Sequence, residues 1–150
     1  MTSLTSGHYI IRNVSKADGS VGRNLAEDKS LNPKKIVSLP SSIQAEAWII
    51  EELPNGNYKL RARGSPTGAR DGKVYAFLTE NGDEWKVTRR ENHGRNVFTI
   101  EEANGSNGWV LNSNEEYSQI ECKPLTATKS FPPQFPSTEL WSIVEENDAD

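Results

Sequence analysis

The 150-residue chain contains one cysteine, Cys122, one methionine and two histidines, His8 and His93. A lone thiol excludes an intramolecular disulfide, so rigidity must come from packing and hydrogen bonds, and no oxidising compartment is required. Metal-ligand spacing is missing around His8, His93 and Cys122, and neither a metal nor a cofactor is expected. An enzyme is not expected either. The carboxylate pairs Glu51-Glu52, Glu101-Glu102 and Glu145-Glu146 recur at equivalent positions of a repeat rather than forming one acid–base pair, and neighbouring strand residues point to opposite faces. No stretch approaches the ~18 apolar residues of a membrane span, and the start MTSLTSGHYIIRNV lacks a basic segment followed by an apolar one. A soluble cytoplasmic protein is the expectation. The formal net charge of −4 and pI near 5.3 argue against a general affinity for nucleic acid or anionic membrane, and the absence of a long apolar surface leads to the expectation of a monomer.

What is present is a β pattern. Apolar residues make up 34% of the chain, and about 41% with the glycines added, below the usual ~45–50%; this suits strands joined by many polar loops in a single domain spanning residues 1–150. Three segments each carry an acid two residues before a tryptophan: Glu46-Ala47-Trp48, Asp83-Glu84-Trp85 and Glu139-Leu140-Trp141. A second set, Tyr9-Ile10-Ile11-Arg12, Tyr58-Lys59-Leu60-Arg61 and Phe98-Thr99-Ile100-Glu101, opens the repeats with the partial alternation of a strand that buries one face. Asn55-Gly56, Asn81-Gly82 and Asn104-Gly105 are hairpin turn signals. Weaker strand candidates lie at 24–27, 74–78 and 109–111. About twelve short strands in three units predict an all-β, β-trefoil fold, a six-stranded barrel capped by hairpins, with the repeated aromatics meeting near a pseudo-threefold axis.

Other motifs are weaker. Residues 61–73 carry four cations and several glycines, but Thr67 stands where the first glycine of a phosphate loop belongs and Val74 follows Lys73, so a flexible hairpin loop is expected. Trefoil lectins that resemble the ricin B chain carry Gln-x-Trp; here an acid replaces that Gln three times. A carbohydrate-binding lectin is therefore the alternative function, with Glu46, Asp83 and Glu139 accepting sugar hydroxyls, although a structural role beside each Trp is the better reading. Trp109, behind a polar glycine-rich turn, could stack on a sugar but is better placed in the core. Asn13-Val14-Ser15 and Asn104-Gly105-Ser106 match the glycosylation pattern and read as turns.

The most informative run is Thr128-Lys129-Ser130-Phe131-Pro132-Pro133-Gln134. A trypsin-like protease takes Lys or Arg into a deep acidic pocket and needs an extended backbone across its serine. Lys129 supplies the charge and Ser130 a small next residue, while Pro132 and Pro133 stiffen the chain and favour extended geometry before them. A loop ordered in advance loses less entropy on docking, and anchored ends let religation compete with release, which separates an inhibitor from a substrate. The heptapeptide resembles the reactive loop of the Bowman-Birk serine protease inhibitors, TKSxPPQ, with Lys129 at the cleavage position. The two cysteines that close that loop are absent, the flanks here being Ala127 and Phe135. The same stretch contains Pro133-Gln134-Phe135-Pro136, a possible PxxP ligand.

Over its whole length, the repeat pattern, size and lack of disulfides resemble the fungal β-trefoil protease inhibitors of the mycospin type. That resemblance implies inhibition of trypsin-like serine proteases through one exposed loop, different members using different loops. On this expectation Lys129, Thr128, Ser130, Phe131, Pro132 and Pro133 contact the protease. An alternative reactive region comprises Arg23, Asn24, Lys29, Ser30, Lys34 and Lys35, where Lys29-Ser30 repeats the Lys-Ser pairing and Arg23 offers another exposed cation.

Overall fold

The computed structural model describes residues 4–148. Among them are twelve strands: β1 (Gly7–Asn13), β2 (Val21–Arg23), β3 (Lys34–Ser38), β4 (Trp48–Glu52), β5 (Tyr58–Ala62), β6 (Ser65–Arg70), β7 (Lys73–Ala76), β8 (Trp85–Arg89), β9 (Val97–Glu102), β10 (Asn107–Val110), β11 (Glu121–Pro124) and β12 (Trp141–Glu145). Alternation sets their faces. In β5, Tyr58, Leu60 and Ala62 are buried while Lys59 and Arg61 lean outward.

Six strands close a ring. β1 pairs with β12 and β4, β5 pairs with β4 and β8, and β9 pairs with β8 and β12, all antiparallel. The other six form three hairpins, β2–β3, β6–β7 and β10–β11, linked by pairings of β3 and β11 with β7. Each repeat thus contributes two barrel strands flanking one hairpin, which is a β-trefoil. The Asn55-Gly56 turn between β4 and β5 uses Gly56 at φ 88°, and Leu53 N–H donates to Asn57 O across it at 2.8 Å.

The repeated tryptophans explain the closure. Trp48, Trp85 and Trp141 are the first residues of β4, β8 and β12, and their ring centroids lie 5.7, 5.4 and 5.7 Å from that of Trp109 on β10. Trp109 is fully buried and plugs the centre of a three-tryptophan ring, in tilted and edge-on contacts of the kind worth about 0.5–1.5 kcal/mol each beyond area burial. The outer three indoles donate to Val21 O (2.8 Å), Thr67 Oγ1 (3.1 Å) and Trp109 O (3.1 Å), whereas the buried Trp109 Nε1 has no partner among the described residues.

Three local expectations are corrected. Residues 24–27 are loop rather than strand, because Arg23 ends β2 by turning inward. Residues 61–73 are not a flexible loop: they contain β6, which pairs with both β5 and β7. Asn81-Gly82 does not close a hairpin, since β7 pairs with β6 and β3 while β8 pairs with β5 and β9; Asp83 N–H instead donates to Thr67 O at 2.9 Å.

Candidate functional site

Within the connection from β11 to β12, the loop of residues 126–138 is anchored at both ends. At its leading end the buried Glu139 carboxylate accepts Thr126 N–H at 2.9 and 3.1 Å through its two oxygens, and Thr126 Oγ1–H at 2.7 Å. At its trailing end Phe135 is buried, with Arg90 stacked 4.6 Å from its ring centroid. Phe135 N–H donates to His93 Nε2 at 3.0 Å, and Asn92 Nδ2 donates to Pro133 O at 3.1 Å. Thr138 O accepts from Asn13 Nδ2 and from Leu111 N–H, both at 3.0 Å. Side chains from three parts of the chain, with the Leu111 backbone from a fourth, thus stand where a disulfide would otherwise hold the loop.

Between the anchors the exposed segment is braced internally. Thr128 N–H donates to Gln134 O at 2.9 Å. Gln134 N–H donates to Thr128 Oγ1 at 3.0 Å, Thr128 Oγ1 and Ser130 Oγ lie 2.7 Å apart, and Ser130 Oγ–H donates to Pro132 O at 3.0 Å. A hydroxyl carries one proton, so the last bond fixes the sense of the chain: Ser130 donates to Pro132, Thr128 donates to Ser130, and Gln134 supplies Thr128. This relay crosses the Lys129–Ser130 peptide bond. Lys129 itself is exposed and Phe131 is fully exposed at 100%, while the Phe131–Pro132 peptide is cis. Phe135, at the centre of the PxxP pattern, faces inward, so that pattern does not present a free ligand.

The alternative basic region is organised differently. Arg23, expected to be exposed, is buried; its guanidinium forks onto Glu27 at 2.7 and 2.9 Å and reaches Ala62 O at 3.3 Å. Charge pairing makes that inward turn affordable, since an unpaired buried cation is expensive. Lys34 is also buried, its ammonium donating to Asp28 Oδ1 at 2.6 Å and Asp28 O at 3.1 Å. These bonds hold Asp28 well below the usual carboxylate range, the Lys34 hydrogen bond contributing most and Ser30 next. Asp28 Oδ1 also accepts Ser30 Oγ–H at 2.6 Å and Ser30 N–H at 2.9 Å, so the Lys29–Ser30 bond is bracketed by its neighbours too. Lys29, Ser30 and Lys35 are exposed and Asn24 is half-buried, its carbonyl held by Arg63 Nη2 at 2.9 Å. Leu25 and Leu31 stand out on the same loop at 60% and 69% exposure.

The three repeat acids are engaged internally. Glu139 holds Thr126, Asp83 Oδ2 accepts Ala69 N–H at 2.9 Å, and Glu46 pairs with Arg63 at 3.4 Å. Trp109 is inside. The side chains singled out for a sugar site therefore serve the scaffold. Nothing in the sequence around His93 signals its bond to Phe135, 42 positions away.

The whole chain is similar to known proteins. The family model described as peptidase inhibitor I66 matches residues 1–145. A serine protease inhibitor of Lentinula edodes is 37% identical over 146 residues, covering 95% of this chain and 99% of that protein. The structure of a proteinase inhibitor from Coprinopsis cinerea superposes with a TM-score of 0.85 at 38% identity, over 95% of this chain and 99% of that one. A ricin B-like lectin from Macrolepiota procera, solved in complex with lactose, shares the fold at a TM-score of 0.68 but only 18% identity, over 97% and 99% of the two chains. With the family model spanning residues 1–145 and a relative 37% identical over nearly its whole length, the chain belongs to the peptidase inhibitor I66 family, as a protease inhibitor and not an enzyme.

Proposed function

We propose that the protein inhibits trypsin-like serine proteases by presenting Lys129 to the specificity pocket on the 126–138 loop. The observation that carries this reading is the hydroxyl relay Gln134–Thr128–Ser130–Pro132, which spans the Lys129–Ser130 bond inside a loop anchored at both ends. The protease serine attacks the Lys129 carbonyl, and the Ser130 nitrogen leaves as an amine with a proton from the protease histidine. Ser130 stays in place because its arm remains tied through Pro133, Phe135 and Thr138, so the amine attacks the acyl-enzyme again and the peptide bond re-forms. Lys129 gives trypsin-like preference by its charge, and Phe131 with the prolines packs on the leaving side.

A second reading places the site at Lys29–Ser30, favoured by the Asp28 bracket and the buried Lys34 that holds it. Arg23 and Lys34 do not compete for the pocket in either reading, being committed to internal pairs. Inhibition constants of Lys129→Ala and Lys29→Ala against trypsin separate the two. Loss in the first variant alone supports the first reading, and loss in the second alone supports the other.

A further inference from the structure

We infer that His93, in the short turn between β8 and β9, is the positioning residue for the trailing arm of the 126–138 loop, and that only its neutral imidazole can hold that arm. The inhibitor then becomes more substrate-like as the solution turns acidic. This rests on the Lys129–Ser130 reading above.

The bond itself fixes the protonation. Phe135 N–H donates to His93 Nε2 at 3.0 Å, so Nε2 must carry a lone pair and the ring proton sits on Nδ1. Histidine is the side chain whose charge changes near neutral pH. Once Nε2 is protonated, two N–H groups face each other and the bond is gone. The ties that remain on this arm are the Asn92 bond to Pro133 O, the Gln134 bonds to Thr128, the bonds of Asn13 and Leu111 to Thr138 O, and the packing of Phe135 between the edge of His93, at a centroid distance of 6.2 Å, and Arg90. The imidazolium also adds positive charge beside a guanidinium that shares the same aromatic ring. Charged residues on the elements that meet here are Arg90, directly after β8 and paired to Glu101 on β9 at 3.6 Å, Glu91 and Arg95 in the turn, Arg89 at the end of β8, and Lys129 on the loop.

The arm that His93 holds is the one carrying the new amino terminus after cleavage. Loosening it leaves docking of Lys129 in place but lowers the effective concentration of the Ser130 amine at the acyl-enzyme, so release gains on religation. One lost hydrogen bond corresponds to about a tenfold change.

The test is to measure trypsin inhibition and accumulation of chain cleaved at Lys129–Ser130 from pH 8 to pH 5.5 for wild type, His93→Ala and His93→Gln. Comparing variants at the same pH cancels the protease's own titration. At pH 8, His93→Ala is expected to inhibit about tenfold more weakly than wild type, with His93→Gln recovering most of that through an amide oxygen that does not titrate. Toward pH 5.5 wild type should converge on His93→Ala while His93→Gln keeps its advantage. A ratio of His93→Ala to wild type that stays fixed across the range overturns the inference. Lys129→Ala, run alongside, tests the reading beneath it. If that variant still inhibits, the Phe135 amide in the free protein, followed by nitrogen-15 NMR, decides the role of His93 alone: a signal that moves with the imidazole supports it, and one that stays fixed overturns it.

Discussion

Replacing Glu139 by Gln isolates the leading anchor of the loop. The carboxylate is 4% exposed and takes two donors, the Thr126 N–H shared between both oxygens and the Thr126 hydroxyl. Hydrogen bonds to a charged group contribute about 1.5–3 kcal/mol each. Glutamine has nearly the same shape but is neutral: with its oxygen toward Thr126 N–H its NH2 meets Thr126 Oγ1, a hydroxyl that can accept, so the contacts persist without the charge that strengthens them. Both bonds fall from the charge-assisted to the neutral range, and because Thr126 is itself exposed, water replaces part of the loss. The expected loss is about 1.5–2 kcal/mol in urea unfolding followed by tryptophan fluorescence, and Glu139→Ala should lose more. The loop should also open under trypsin, with the variant cleaved at Lys129–Ser130 faster than wild type. A loss below about 0.5 kcal/mol, the range of ordinary surface substitutions, together with unchanged resistance to cleavage, would refute this account of the anchor.

Other consequences are as direct. Asp28 is held below its ordinary value of 3.8, so its contribution to the β2–β3 loop is present above that value and is lost only as pH falls through the lower folded one; a carboxyl NMR titration should show this, and Lys34→Ala should return Asp28 toward 3.8. Burial pushes the Cys122 thiol up to about 12, with Glu102 and Asp83 adding to it, so a thiol reagent at pH 8 should label the protein only at the rate of unfolding. Trp48→Phe should cost about 1 kcal/mol more than Trp109→Phe in chemical unfolding, since only the former gives up an indole hydrogen bond; equal losses would contradict this.

The fold was legible because its signals are local and repeated. The acid two residues before each of Trp48, Trp85 and Trp141 marks the start of a barrel strand every time, and Asn55-Gly56 turns as its chemistry requires. Misreadings arose where tertiary contact overrides local pattern. Arg23 looked like a free cation because Glu27, Ala62 and Ser65, which draw it inward, come together only in the folded chain. The reactive-loop candidate was visible as Thr128-Lys129-Ser130 with its prolines, but its support was not. Glu139 was noticed as a repeat feature, while Asn13, Asn92 and His93 gave no sign that they converge on Pro133, Phe135 and Thr138.

The most direct test of the central claim is a titration of trypsin with wild type and with Lys129→Ala, chymotrypsin serving as the control protease. An exposed lysine on an independently braced loop should be removable without moving the melting temperature, and its loss should weaken trypsin inhibition by about a thousandfold or more, as expected for a pocket-filling anchor. Trypsin inhibition that survives in Lys129→Ala at wild-type strength contradicts the account.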